Sequence, residues 1–279
     1  MKSRFLCLTV IIVISILASS ISAQPSDLFS QSASAQLTRQ FGGRDLSWVL
    51  LDRSGRILAQ NWDDPDLPIS AGSVLKPFIA FAWGEQNGFH YPRILCKGTR
   101  NRCWLPRGHG MMGLESAIAE SCNAYFLSLA SELDRRSAAQ IFARFGLHSP
   151  PPDATPETLI GLTDQWRETP LTLARAYLAL ANDTFSPARP RILAGMRGAA
   201  AFGTARDVDL ALGRDSALAK TGTAPCSHHA RAAADGFTIV LFPALQPRLL
   251  LLVRMHAATG AHTATEAGAM LRAIGMGAP

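Results

Sequence analysis

The sequence predicts an α+β fold: an antiparallel sheet built from both chain ends, flanked by helices, with an inserted all-helical lobe. Strand-like segments lie near both ends of the chain, whereas its middle has the apolar periodicity of helices. Strands that open and close a chain around helices are typical of this architecture. The 279 residues are 48% hydrophobic and 17% charged, which is enough apolar material for one substantial core.

The N-terminus predicts a cleaved export signal over residues 1–23. Lys2 and Arg4 precede an apolar run from Phe5 to Leu17, and small residues ending at Ala23 form a cleavage site. The run is shorter than a comfortable membrane span, so an uncleaved anchor is the less favoured alternative. We therefore expect an exported protein that works in the periplasm or otherwise outside the cytoplasmic membrane.

The next segment, residues 24–45, is rich in Ser, Gln and Ala and is predicted to be a linker, which leaves one folded domain over residues 46–279. That domain is predicted to open with a β-hairpin. Residues 47–51 form its first strand, residues 52–55 its turn and residues 56–59 its returning strand.

A helix is predicted to begin near Ser73, because Pro77 is tolerated only in a first helical turn, where backbone N–H groups have no intrahelical partner. The remaining elements follow from hydrophobic periodicity. Helices are predicted at residues 114–133, 137–145, 170–181 and 266–274, and strands at residues 217–223, 236–242 and 248–256.

Three short motifs carry the chemistry. They are Ser73-Val74-Leu75-Lys76, Ser121-Cys122-Asn123 and Lys220-Thr221-Gly222, the last followed by Thr223. A serine hydroxyl is a poor nucleophile until a base removes its proton. Lys76 follows Ser73 by three positions, so on a helix the two side chains share one face.

In this order the motifs form the active-site signature of the serine penicillin-recognising enzymes. The chain resembles the transpeptidase domain of penicillin-binding proteins over residues 46–275. The likeness includes residues 71–78, 109–126 and 169–182. It implies a β-lactamase/transpeptidase-like fold, peptidoglycan stem peptides as substrates and β-lactams as covalent inhibitors. No cofactor is implied.

The resemblance assigns a role to each motif residue. Ser73 is the nucleophile and Lys76 its base, helped by burial and by the positive charge of Lys220, which lower the pKa of Lys76. Ser121 relays a proton between the lysines and the leaving amine. Asn123 orients Lys76 and binds the substrate amide.

The third motif is expected to bind substrate. Lys220 and Thr221 face the substrate carboxylate with help from Thr223, and Gly222 lets the substrate lie close to the strand. The resemblance also implies an oxyanion hole made by the backbone N–H groups of Ser73 and Thr223.

Three functions are compatible with these motifs. A D,D-transpeptidase or carboxypeptidase is preferred, a β-lactamase is the second reading, and a non-catalytic β-lactam sensor or wall-binding scaffold is the third. Some β-lactamases use a loop glutamate to activate the deacylating water. Glu168 is a weak candidate for that role, and an exposed charge at the start of a helix is the preferred interpretation.

The cysteines leave two readings open. Cys96, Cys103, His109 and Cys122 have a ligand set suited to tetrahedral zinc, and some elongation-type relatives carry a structural metal in this region. Their spacing matches no compact zinc motif, so a Cys96–Cys103 disulfide is preferred and no metal ligand is assigned. His228 and His229, after Cys226, are interpreted as part of a solvated loop.

Charge suggests partners without defining them. The net charge of +6 attracts anionic lipid head groups or wall polymers, and wall-synthesis proteins are further candidate partners. No nucleic-acid-binding module accompanies the basic residues, so a nucleic-acid partner is not expected.

Overall fold

A computed structural model describes residues 25–226 and 234–277. The predicted export signal and the pair His228 and His229 lie outside the described residues. None of the helices within those two ranges is long and apolar enough to cross a membrane.

The central feature is a five-stranded antiparallel sheet with the order β2-β1-β9-β8-β7. Its strands are β1 (Leu46–Asp52), β2 (Ile57–Gln60), β7 (Leu218–Pro225), β8 (Ala234–Phe242) and β9 (Leu249–His256). The N-terminal hairpin β1–β2 pairs with β9, so both ends of the chain build one sheet, which confirms the predicted fold class. Short strands form two small separate sheets, β3 (Ile69–Ser70) with β6 (Arg167–Glu168) and β4 (Ile94–Cys96) with β5 (Gly110–Met112).

Helices cover both faces of the sheet and fill the middle of the chain. They are α1 (Pro25–Phe41), α2 (Lys76–Gln86), α3 (Leu114–Ala119), α4 (Asn123–Glu132), α5 (Arg135–Arg144), α6 (Pro156–Leu159), α7 (Pro170–Asn182), α8 (Ala188–Ala201), α9 (Arg206–Leu212) and α10 (Gly260–Ala273). Two 3₁₀ turns, Gly72–Leu75 and Gly98–Asn101, complete the chain.

The sheet separates two hydrophobic cores. Because successive strand residues point to opposite faces, Trp48 and Leu50 of β1 pack with α1, α9 and α10, whereas Val49 and Leu51 face the helical lobe. All four side chains are fully buried. This central sheet holds β7 rigidly against the helical lobe, where the predicted motifs lie.

The prediction of a linker over residues 24–45 is wrong, because residues 25–41 form α1. Ala33, Leu37 and Phe41 recur at a spacing of four residues and are buried against the sheet. Ala and Gln favour helices, so the composition that suggested a linker is equally suited to an amphipathic helix.

The helix predicted over residues 114–133 is also corrected, because it is two helices. Helix α3 ends at Ala119 and α4 begins at Asn123. Between them Ser121 has a φ of +52°, in the left-handed region that non-glycine residues rarely adopt. This break turns Ser121 out of the helical pattern and places it where the other motifs meet.

Candidate active site

The nucleophile candidate Ser73 lies in the 3₁₀ turn that leads directly into α2, and Lys76 is the first residue of that helix. The turn is held in place by the buried Tyr177 hydroxyl, which donates a 2.6 Å hydrogen bond to the Val74 carbonyl. Gly72 precedes Ser73 with a φ of +64°, and a Cβ there would lie 2.9 Å from the Thr223 carbonyl oxygen. The turn therefore packs directly on strand β7.

The Lys76 side chain is completely buried, and its amine is hydrogen-bonded. Its Nζ donates to the Asn123 Oδ1 at 2.6 Å, to the Ser121 carbonyl at 2.8 Å and to the Ser121 hydroxyl at 3.3 Å. Among the described residues, the Ser73 hydroxyl makes no hydrogen bond to Lys76. Catalytic hydrogen bonds often tighten only when substrate binds.

The Ser121 hydroxyl lies between the two buried lysines. Lys220 Nζ donates to it at 2.9 Å and also to the Thr221 carbonyl at 2.8 Å. The three motifs, 45 to 99 residues apart along the chain, therefore meet at one hydroxyl group. This is the geometry that a proton relay between two amines requires.

Burial changes the protonation of both lysines. It lowers the pKa of Lys76 to about 7, although the neighbouring Cys122 and Cys103 side chains act in the opposite direction. Burial also lowers the pKa of Lys220 well below its usual value, and the neighbouring Lys76 lowers it further. Near neutral pH the pair therefore supplies a neutral amine, which is a base, beside a potential proton donor.

A cavity of about 370 Å³ opens onto this cluster. It is lined by Ser73, Ser121, Asn123, Thr221, Gly222 and Thr223, together with Trp104, Leu162, Thr204 and the start of α10. A larger cavity of about 680 Å³ lies between α3 and α8 but contains none of the three motifs. The smaller cavity is therefore the candidate active site.

The third motif lies on β7, the edge strand of the sheet. Its Gly222 has a second constraint besides access for substrate, because a Cβ there would lie 3.1 Å from Val74 Cγ1 and 3.3 Å from the Ser73 nitrogen. Thr223 is exposed at the cavity, and its hydroxyl accepts a hydrogen bond from the Gly260 nitrogen at 3.1 Å. The close approach of β7 brings the Ser73 backbone to the strand.

Thr204 and Trp104 are among the residues of the site that lie outside the motifs and were not predicted. The Thr204 hydroxyl and that of Thr221 lie 2.6 Å apart, which fixes the rotamer of Thr221. Trp104 lines the cavity and donates from Nε1 to the Ser121 carbonyl at 3.2 Å. Both positions depend on tertiary packing; the only sequence signal is that Trp104 adjoins Cys103.

Glu168 is fully buried, so its interpretation as an exposed charge is wrong. Its carboxylate accepts from the His148 backbone at 2.8 Å and from the Trp166 indole at 3.1 Å, and it pairs with His148 Nδ1 at 2.9 Å. Glu168 is not part of the cavity wall at Ser73. Its contacts support a structural role rather than activation of water.

The preferred Cys96–Cys103 disulfide is not present. Both sulfur atoms instead lie 3.5 Å from the same atom, Nδ1 of His109, and Cys103 Sγ lies 3.9 Å from Cys122 Sγ. The four donor atoms of this Cys₃His cluster all lie within 4.8 Å of one another. The thiols are directed at a common centre rather than at each other.

These distances fit a tetrahedral zinc site. Zinc bound at about 2.3 Å from sulfur and about 2.0–2.1 Å from imidazole nitrogen requires S–S edges of about 3.8 Å and S–N edges of about 3.5 Å. Cys122 lies between Ser121 and Asn123 in the second motif, so an ion held here would join β4, β5 and the adjoining loop to the catalytic residues. Its contribution would be structural.

Comparison of the sequence with protein families gives one assignment. The model described as the penicillin-binding protein transpeptidase domain matches residues 66–274, which is most of the chain. No curated protein sequence matches significantly.

Solved structures share the fold. Pseudomonas aeruginosa PBP2, solved in complex with WCK 5153, has a TM-score of 0.71 and 20% identity, over 88% of this chain and 72% of that one. The transpeptidase domain of Burkholderia pseudomallei penicillin-binding protein 3 has a TM-score of 0.67 and 16% identity, over 90% and 94% of the two chains. Helicobacter pylori PBP2, solved with MreC, has a TM-score of 0.69 and 15% identity, over 87% and 63%.

Proposed function

Since the chain belongs to the penicillin-binding protein transpeptidase family, we propose that it is a serine D,D-transpeptidase or carboxypeptidase that forms an acyl-enzyme at Ser73. The observation that supports this most strongly is the position of the Ser121 hydroxyl, 3.3 Å from Lys76 Nζ and 2.9 Å from Lys220 Nζ. The family acts on peptidoglycan outside the cytoplasm, and we propose the D-Ala-D-Ala end of the stem peptide as the substrate of this chain.

Acylation then proceeds as a balanced exchange. Neutral Lys76 accepts the Ser73 proton as the serine oxygen forms a bond to the penultimate D-Ala carbonyl carbon. Collapse of the tetrahedral intermediate breaks the peptide bond, and the departing D-Ala amine receives a proton through Ser121. An amine or water then attacks the ester, which regenerates Ser73 and yields a cross-linked or trimmed peptide.

Strand β7 provides the binding elements. Thr221 and Thr223 line the cavity with Ser73 and suit the terminal carboxylate of the substrate, while the buried Lys220 contacts the Ser121 hydroxyl. The backbone N–H groups of Ser73 and Thr223 are proposed to stabilise the oxyanion, where losing one donor typically costs about 100–1000 fold in rate. The approach of Gly222 to the Ser73 nitrogen supports this assignment.

The lifetime of the penicillin adduct tests the proposed function against a β-lactamase. Fluorescent penicillin should label the protein at one residue, and the adduct should outlast the acylation step by hours, because the buried Glu168 is not placed to activate water at Ser73. A D-Ala-D-Ala peptide should release D-Ala in the same preparation. Rapid turnover of penicillin without release of D-Ala would instead identify a β-lactamase.

The acylation rate should rise with pH. Only neutral Lys76 can accept the Ser73 proton, and its pKa is lowered to about 7 by burial. Below that value the second-order rate constant for penicillin acylation should fall about tenfold per pH unit, and above it the rate should level off. Stopped-flow measurements from pH 5.5 to 8.5 check this, and a rate that is flat across that range would exclude Lys76 as the base.

We also propose that the Cys₃His cluster holds structural zinc. Removal of the metal with a strong chelator should lower the Tm by at least about 5 °C, since 1 kcal/mol corresponds to about 2–4 °C in a domain of this size. In the matched variant Cys103→Ser the Tm should already be low, and the chelator should lower it less than in the wild type. A wild-type Tm that is insensitive to chelator, with no zinc found by elemental analysis, contradicts the site.

Wall-synthesis proteins are the proposed partners. A Helicobacter pylori structural neighbour was solved as a complex with MreC, and another neighbour belongs to a peptidoglycan synthase complex. A membrane-proximal location would suit the basic net charge of +6.

A further inference from the structure

A second group of metal-ligating side chains lies at one end of the central sheet, away from the Cys₃His cluster. Cys226 directly follows the last residue of β7, which carries the third motif. Asp235 and His256 are directly paired across the β8–β9 ladder. Three strands thus bring a thiol, a carboxylate and an imidazole to one point.

The three side chains converge on a single ring nitrogen. His256 Nδ1 lies 2.7 Å from Asp235 Oδ1 and 4.0 Å from Cys226 Sγ, and all three donor atoms lie within 4.8 Å of one another. In a catalytic triad the nucleophile and the carboxylate contact opposite nitrogens of the histidine. Here both approach the same nitrogen, which is the arrangement of ligands around a shared ion.

The spacing is close to that of a bound metal. Tetrahedral zinc with ordinary bond lengths places sulfur and nitrogen ligands about 3.5 Å apart and nitrogen and oxygen ligands about 3.4 Å apart. The observed 4.0 and 2.7 Å differ from these values by about half an ångström or a little more, and in opposite directions. Binding of the ion therefore requires the His256–Asp235 distance to widen and the His256–Cys226 distance to shorten.

Burial and charge favour a cation here. The Asp235 and His256 side chains are 2% and 11% exposed, and Cys226 is half-buried, so the group lies largely away from solvent. Arg254 lies on the same face of β9, two positions before His256, and donates to the Ser47 hydroxyl at 2.8 Å while packing over Trp62. The carboxylate of Asp235 and the sulfur of Cys226 are donors that a divalent cation accepts beside an imidazole.

We propose that Cys226, Asp235 and His256 bind one divalent cation of the zinc class, as three of its protein ligands. The mixed sulfur, nitrogen and oxygen donors are those that zinc accepts. Binding displaces the Cys226 thiol proton, and the proton between His256 Nδ1 and Asp235 moves to Nε2 so that Nδ1 can bind the ion. The ion joins the end of the catalytic strand β7 to β8 and β9, and this inference does not depend on the proposed function.

Alkylation of the wild-type chain provides the test that needs no variant. Zinc should slow the reaction of Cys226 with iodoacetamide at least tenfold, as followed by mass spectrometry of the peptide containing this cysteine. Zinc bound at the Cys₃His cluster cannot protect Cys226 from alkylation, so this measurement reports on the second site alone. Equal alkylation rates with and without zinc would overturn the proposal.

Variants give a second, independent readout. In cobalt titrations Cys226→Ser and His256→Gln should each lose one equivalent of metal, or bind it more than about 100-fold more weakly. The matched control His262→Gln changes an exposed histidine on α10 and should bind as the wild type does. Wild-type stoichiometry and affinity in both cluster variants would refute the site.

Discussion

Ser73→Ala is expected to abolish covalent labelling by fluorescent penicillin. Loss of a catalytic serine typically costs about 10⁶ fold in rate. Ser73 lines the cavity and precedes the buried Lys76 by three residues. Ser121 is the nearest alternative hydroxyl, but it is already engaged by both lysines. The measurement is gel fluorescence after a timed exposure to the labelled penicillin.

The variant should remain folded, so the loss of label can be attributed to chemistry. Ser73 is half-buried, and removal of one hydroxyl from a 3₁₀ turn leaves the Tyr177 hydrogen bond to Val74 intact. Ser131→Ala, which changes an exposed serine on α4, is the matched control and should label like the wild type. Equal labelling of the Ser73 and Ser131 variants would remove Ser73 from the mechanism.

The sheet was predictable because its strands follow local rules. The N-terminal hairpin and the three C-terminal strands have apolar residues bounded by turns, and each was predicted to within a few residues. The order of strands and helices along the chain predicted one sheet built from both chain ends, and the structure shows that the hairpin pairs with β9. These features need no knowledge of side-chain packing.

The failures arise where tertiary contacts decide. Composition alone did not distinguish a linker from α1. The segment is a helix because Leu37 and Phe41 pack against the sheet, and composition does not show that contact. Helices α8 and α9 were not predicted at all. The break at Ser121 was hidden within an apolar pattern that continues through Cys122, and only the structure shows its left-handed backbone.

The candidate site also has a part that the sequence predicted and a part that depends on tertiary contacts. Motif order was enough to select Ser73, Lys76 and Lys220, but it gave no distances. The spacing of the cysteines in the sequence favoured a Cys96–Cys103 disulfide. Spacing does not show that Cys122 and His109 contact Cys103 in the folded chain. Thr204 reaches Thr221 across 17 residues of chain, and nothing in its own sequence neighbourhood indicates that contact.

Lys76→Met should slow penicillin acylation by about 10²–10⁴ fold, which is the usual contribution of a positioned general base. Methionine has a similar length and no charge, so the helix and the Phe126 face that Lys76 approaches stay packed. The Tm should change little, because relief from burying an amine is offset by the loss of its hydrogen bonds to Asn123 and Ser121. Stopped-flow acylation at pH 8 measures the effect.

The pH profile separates a base from a structural lysine. In Lys76→Met the slope below pH 7 should disappear along with most of the rate, since the titrating amine has been removed. Lys97→Met, which changes an exposed lysine, is the matched control and should keep both the rate and the slope. If Lys76→Met retained a wild-type rate, or lost rate while keeping the same slope, proton removal from Ser73 would have to be assigned to another group.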